Sequence, residues 1–207
     1  MRVRRTQEMK MKANEIRLGD VIAFKMKDGE KCEARAVKQD GDMMLMLFED
    51  CLAQEYPMNE KGGTEGGYEA SDLRRKLNTE ILKRFPKKVR KHMQEFENGD
   101  LLRLLTKREV FGDNPYAEEN EPETVEQIPA MKQRKNRVAS QGLNGEYEWW
   151  WLQNRVSAAY FALVATFGNC YFDGASASLG VRPAFQIRVS SIQSGLDPDD
   201  AEQEVEV

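Results

Sequence analysis

Trp149-Trp150-Trp151-Leu152-Gln153, followed directly by NRVSAAYFALVATFGNCYFDGASASLGVRPAF (154–185), is unlike the rest of the chain. All three tryptophans stand together at its start, and its polar residues are mostly Asn, Ser, Thr and Gly. The 32 residues from Asn154 to Phe185 contain no Lys, Glu, Gln, Met or Trp. Those five types make up 62 of the 207 residues, so a window of this length should hold about ten of them. Burial in a central sheet explains missing Lys, Glu and Gln, which avoid cores. It does not explain missing Met, which the chain uses freely elsewhere. Randomising the two adenines of an AAY codon yields every residue type except those five, so diversification at adenines explains the whole set. The depletion alone does not choose between the two.

Within the window, Tyr160, Phe161, Phe167, Tyr171 and Phe172 stand among small residues. Binding surfaces use this composition: aromatics give contact area with few rotors, and Ser, Asn and Gly give adaptable hydrogen bonds. The competing reading of each ring is core packing, and Phe161 is expected in the core. If 160–167 is a strand, Phe161, Leu163, Ala165 and Phe167 share one side and Tyr160, Ala162, Val164 and Thr166 the other. Gly168 and Gly174 bracket Asn169–Asp173 as a displayed loop or edge, and adjacent Tyr171 and Phe172 are expected to point opposite ways. The expected exposed binding set is therefore Arg155, Tyr160, Leu163, Ala165, Phe167, Asn169, Tyr171, Phe172 and Asp173. Trp150, Trp151, Gly180, Arg182 and Phe185 are expected to be scaffold, with Arg182 holding backbone carbonyls or a buried acid.

Upstream, residues 15–56 read as a β-meander. Apolar Val21–Phe24, Cys32–Val37 and Met43–Phe48 are separated by Lys27-Asp28-Gly29-Glu30 and Asp40-Gly41-Asp42 turns. Lys61–Gly67 is a glycine-rich loop without the Gly-Lys-Ser/Thr ending of a phosphate cradle. Ser71 is placed to cap a helix whose apolar stripe is Leu73, Leu77, Ile81 and Phe85, ended by Pro86. Val89, Met93 and Phe96 continue a helical face to Asn98-Gly99, and Leu101–Thr106 reads as a buried strand. Residues 109–126 hold seven acids and no bases, which reads as a solvated excursion.

A chain of this length with 40% hydrophobic and 32% charged residues can bury a core without disulfide or metal staples. Cys32, Cys51 and Cys170 suit a reducing compartment. No apolar run approaches a membrane span, and the basic start MRVRRTQEMKMK lacks the apolar stretch of a secretory signal. His92 reads as part of a solvated basic helix face. Residues 71–95 carry nine Lys/Arg against three acids, but the net charge of −4 and the absence of a nucleic-acid motif disfavour nucleic acid. No Gly-x-Ser-x-Gly or His-Glu-x-x-His occurs, and the cysteines and histidine lack metal-ligand spacing, so no catalytic residue, cofactor or metal is expected.

The Trp-Trp-Leu-Gln run, the small-residue middle with Gly168, and the ending Ala-Ser-Ala-Ser-Leu-Gly-Val-Arg-Pro-Ala-Phe together resemble the variable region of diversity-generating retroelement target proteins. Gly67-Tyr68-x-x-Ser71-Asp72-Leu73-Arg74-x-x-Leu77-Asn78 and Leu102-x-Leu104-Leu105-Thr106-x-x-Glu109-Val110-Phe111 resemble the domain that accompanies it in bacteria and phages. The sequence departs from the common pattern at Gln153-Asn154, where Arg-Ser is usual. The resemblance implies an α+β, C-type-lectin-like (formylglycine-generating-enzyme-like) fold with a small irregular antiparallel sheet and two or more helices. It implies a non-enzymatic binding protein for a protein or glycan ligand, its variable face within 154–185, with oligomerisation open. The related formylglycine-generating enzymes use two cysteines near the C-terminal core, where this chain has only Cys170. Lectin-type calcium motifs are also missing. The expected organisation is a basic extension (1–14), one domain (15–190) and an acidic tail (191–207). Synthesis in a bacterial cytoplasm follows, with virion association or surface display by another route.

Overall fold

The computed structural model describes residues 16–113 and 124–189, together with the backbone of 7–8. The acidic tail, nearly all of the basic extension and the middle of the acidic excursion lie outside the described residues. The strands are β1 (Gln7–Glu8), β2 (Val21–Lys25), β3 (Lys31–Asp40) and β4 (Met43–Phe48). Four short helices lie in the middle of the chain: α1 (Asp72–Lys76), α2 (Leu82–Arg84), α3 (Lys87–Arg90) and α4 (Lys107–Phe111), with strand β5 (Met93–Gln94) between α3 and α4. The C-terminal strands are β6 (Ala139–Ser140), β7 (Tyr147–Glu148), β8 (Trp150–Arg155), β9 (Tyr160–Val164), β10 (Cys170–Gly174) and β11 (Ala184–Arg188).

The fold is α+β. One sheet has the order β1-β2-β3-β4-β11-β5 and another the order β10-β9-β8, with β6 and β7 as a separate pair. Apart from the parallel β1–β2 contact, every strand pair is antiparallel. The meander of β2–β4 thus shares its sheet with the last strand of the described chain.

The apolar run of β4 has a physical reason: the strand is buried on both faces. Met44, Met46 and Phe48 enter one core cluster, while Leu45 and Leu47 enter a second on the opposite face. The Trp-Trp-Leu run behaves alike, with Trp151 in the first cluster and Trp150 and Leu152 in the second. In β9, Phe161 and Leu163 face the first cluster, Ala162 and Val164 the second. Period-two alternation is therefore present, yet both sides are apolar and neither is wet. In β3, Ala34 and Ala36 face the first cluster and Val37 the second, and the register with β4 shifts at a bulge between Ala36 and Lys38. Phe24, Phe48, Phe85 and Phe185 form a ring cluster at the first core, with centroids 5.6–6.4 Å apart.

Ser71 caps α1 by accepting from the Arg74 N–H, as the sequence predicts. The stripe Leu73, Leu77, Ile81 and Phe85 is fully buried, but the helix widens to a π turn over Leu77–Ile81. Asn78 accounts for it. Its amide donates to the carbonyls of Arg74 and Leu102, and its oxygen accepts from the N–H groups of Leu101 and Leu102. Further on, the structure corrects several expectations. The helix ends at Arg90; Met93 lies in β5, and no helix covers Met93 or Phe96. His92 follows α3 and is half-buried, with Nε2 buried, so it is not on a solvated helix face. Leu101–Thr106 is not a strand: its leucines 102, 104 and 105 are buried, but only Arg103 pairs, bridging to Ala184. Glu109, read as part of a solvated excursion, is buried in α4. Arg103 clamps it through two hydrogen bonds of 2.6 and 2.7 Å, and it closes a capping box with Thr106. Burial works to raise its pKa, but the Arg103 guanidinium and the Thr106 N–H prevail and hold the carboxyl below its ordinary range.

Candidate functional site

The segment Gly180–Phe185 is the seam between the two sheets. The Gly180 carbonyl accepts from Trp151 N and its N–H donates to the Trp149 carbonyl, so it docks on the start of β8. Four residues later the chain enters β11 beside β4. Only glycine fits at 180: a Cβ there would lie 2.7 Å from the Trp149 carbonyl oxygen and 2.8 Å from the Cys51 sulfur. Arg182 is buried, donates to the carbonyls of Phe48 (2.7 Å) and Asn136 (3.1 Å), and lies over the Trp150 ring. Trp150 and Trp151 are fully buried, and each indole donates to a carbonyl, of Arg137 and Tyr56 respectively. All five expected scaffold residues, Phe185 included, are core.

The three-stranded sheet carries a different kind of surface at its β10 end. Four of the five exposed large hydrophobic side chains, Tyr147, Tyr160, Phe167 and Tyr171, lie between residues 147 and 171. Trp149, Tyr171, Phe172 and Tyr160 form a continuous row of rings. Centroids are 5.9 Å apart for Trp149–Tyr171, 5.3 Å for Tyr171–Phe172 and 5.5 Å for Tyr160–Phe172. Tyr171 and Phe172 are adjacent, yet their rings stack nearly parallel rather than pointing opposite ways. β10 stands at the end of its sheet's strand order, which leaves its side chains room to lean around the edge. The turn Ala165–Asn169 joins β9 to β10 and presents Phe167, 72% exposed. Gly168 there has φ +75°, and its missing Cβ admits the Arg134 carbonyl, which would lie 2.9 Å from it. Arg134 in turn donates to the Phe167 carbonyl at 2.5 Å.

The structure thus gathers Tyr160, Tyr171 and Phe172 in one row, while Phe167 stands apart in the β9–β10 turn, at the other end of the hairpin from the Tyr160–Gly174 pair. Asn169 is exposed and its carbonyl accepts from Ala165, while Asp173 is half-buried and accepts from the Gly174 N–H. Arg155 is half-buried at the end of β8, opposite Phe161. Leu163 is corrected: it is fully buried in the middle strand and cannot belong to an exposed set. Ala165 is half-buried against the first core cluster, so it too is not exposed as expected. The strand ends at Val164, which removes Ala165 and Phe167 from the alternation. Trp149, unlike Trp150 and Trp151, is half-buried and starts the ring row; it precedes β8 and escapes the double burial of that strand. Gln153 and Asn154 do local structural work. The Gln153 amide donates to the Leu104 carbonyl, and Asn154 accepts from the Lys107 N–H, tying β8 to the start of α4.

Beside Trp149 sits a pair of carboxyls. Burial pushes Glu148 above its ordinary pKa; the Trp149 N–H opposes the shift and the neighbouring Glu55 adds to it. Burial also pushes the Cys170 thiol up to about 11, so it is protonated at neutral pH. The three cysteines are free thiols. Among the described residues no cluster of three or more His, Cys, Asp or Glu is placed to hold a metal, and no helix is long and apolar enough to cross a membrane.

Fold and site together define an α+β protein that displays a row of aromatic rings at the edge of a small antiparallel sheet. Residues 41–189 match the DUF6273 family, a domain of unknown function, and the chain belongs to that family. No curated protein and no solved structure matches the chain.

Proposed function

We propose that the chain is a non-enzymatic recognition protein of C-type-lectin-like fold, whose binding face is rewritten by a diversity-generating retroelement. The observation that carries this reading is the composition of the exposed positions. Eight residues between Asn154 and Phe185 are exposed, and none is charged, in a chain that is 32% charged. Burial accounts for missing Lys, Glu and Gln at Phe161–Val164 and Val181–Phe185, but not at exposed Ala158, Asn169 or Ser176. Randomised adenines account for both. The variable set on this reading is Arg155, Tyr160, Phe167, Asn169, Tyr171, Phe172 and Asp173, with the buried seam held constant. The ring row supplies rigid contact area for a protein or glycan ligand.

A thiol enzyme of formylglycine-generating type is the competing reading. The raised pKa of half-buried Cys170 weighs against it. On the favoured reading the protein belongs to a phage, prophage or mobile element in bacteria. It is made in the cytoplasm and reaches a virion or cell surface by a route of its own. Residues 15–190 form one folding unit, an idea supported by the shared sheet of β2–β4 and β11. Limited proteolysis that released a stable fragment of about residues 60–190 would break that unit.

The deciding experiment is to sequence the DNA around the gene and the gene itself across a growing population. The reading expects a reverse transcriptase gene, a near-copy of the 154–185 coding segment, and substitutions concentrated at adenines of the codons named above. Substitutions spread evenly over all bases, with no near-copy, would overturn it.

A further inference from the structure

The strongest charged surface lies away from the ring row, on the hairpin turn between β2 and β3 and on the corner between α2 and α3. The segments Lys25–Lys31 and Lys83–Lys91 together hold nine cations and two acids. They touch: the Lys27 N–H donates to the Arg84 carbonyl at 2.8 Å. Both acids, Asp28 and Glu30, are engaged by Arg84, so neither neutralises a lysine. Lys25, Lys27 and Lys31 on the turn are exposed, as are Lys83, Lys87, Lys88 and Lys91 on the corner. None of these seven makes an ion pair with a described residue. A protein of net charge −4 thus brings together seven exposed lysines that form no ion pair among the described residues.

We propose that this face docks the protein on an anionic lipid surface. The residue types select that partner over a nucleic acid. The free cations are nearly all lysine, a point charge that needs no geometric match to a headgroup. Base readout in a duplex relies on arginine forks, and Arg84 has its fork engaged while Arg90 is half-buried. Single strands are gripped by stacking on aromatic rings, and none of the exposed large hydrophobic side chains lies in either segment. Lysines near an anionic bilayer add their attractions and lose them to salt. The ring row plays no part in this argument.

The test is co-sedimentation of the full chain with vesicles of phosphatidylcholine and about 30% phosphatidylserine, against pure phosphatidylcholine, at salt of about 20 and 150 mM. Binding is expected on the anionic vesicles alone, weakening with salt. Lys87→Glu/Lys88→Glu should reduce partitioning by about tenfold or more. Lys61→Glu/Lys132→Glu, the same charge change at exposed positions elsewhere, should change it by less than about threefold. Far-UV circular dichroism checks that each variant folds, and Lys87→Gln/Lys88→Gln replaces the reversal if it does not. Equal binding to both vesicle types, or equal loss in the two charge-reversed variants, overturns the proposal. So does tighter binding to a labelled DNA duplex than to anionic vesicles at equal phosphate concentration, which would assign the face to nucleic acid.

Discussion

Ala165–Gly174 and Gly180–Phe185 belong to one stretch of sequence without Lys, Glu or Gln and read alike in composition, yet they do opposite jobs. The second is wedged between two sheets: Gly180 docks on β8, Arg182 holds two backbone carbonyls, and Ala184 and Phe185 pair with β4. The first has one sheet behind it, and its rings stand in the open. Absence of Lys, Glu and Gln thus has two causes in neighbouring segments, and only the count of neighbouring layers separates them. Substitutions should tell the two apart sharply.

The largest effect is expected at the seam. Trp150 is fully buried, donates to the Arg137 carbonyl and carries the Arg182 guanidinium on its face. Trp150→Ala should cost about 3–5 kcal/mol, read as the loss in chemical denaturation, because a large aromatic leaves a cavity that the two sheets cannot close. If the melt of Trp150→Ala matched the parent protein, the seam would not be core.

Next comes the clamp on Glu109. Its carboxyl is held below the ordinary range by Arg103, against the opposing effect of burial. The folded state therefore binds the proton less readily than the unfolded chain. The stabilisation is complete above the unfolded value of about 4.3 and is lost as pH falls through the lower folded value. Glu109→Gln should cost about 3 kcal/mol at pH 7, since it leaves the Arg103 charge partly buried without its partner. The gap to the parent protein should shrink as pH falls below about 4. Glu148 has the opposite sign: its raised pKa means that stability is lost as pH rises through the folded value, so Glu55→Gln should raise the melting temperature at pH 7 more than at pH 4. A smaller step is expected at Arg182. Arg182→Leu leaves the Phe48 and Asn136 carbonyls without their donor, at about 2 kcal/mol.

Much of this architecture is legible in the sequence, for reasons that can be named. The meander follows from Asp/Gly turns between apolar runs, and the Ser71 cap and the Leu73–Phe85 stripe follow from helical spacing. The seam is legible because tryptophan, glycine, arginine and proline at fixed spacing tolerate few environments. Periodicity fails where a strand is buried on both faces: in β9 no alternation of polar and apolar residues marks a wet side, so Leu163 reads as readily exposed as buried. It fails again at Met93, where tertiary pairing with β11 overrides a helical spacing. Thr106-x-x-Glu109 was a readable capping box, but the acids that follow it in sequence masked the signal.

The smallest effects on stability should fall on the ring row and on Phe167 in the β9–β10 turn, and these sharpen the comparison most. Tyr171 is 49% exposed and Phe167 72%, so their truncation removes little surface that folding has buried. Tyr171 still packs edge-on against Trp149 and stacks on Phe172, contacts of order 0.5–1 kcal/mol in total at a partly wet site. Phe167 has no ring partner among the described residues and contributes its backbone carbonyl to Arg134, a bond that survives loss of the side chain. Tyr171→Ala should therefore cost under about 1 kcal/mol, and Phe167→Ala under about 0.5. The order matters as much as the size. If thermal melts placed Tyr171→Ala beside Trp150→Ala, the rings would be holding the sheet together and could not be free to vary. If both are near neutral, these positions carry side chains that the fold does not need, and that freedom is the physical condition for a surface that changes its ligand without losing its scaffold.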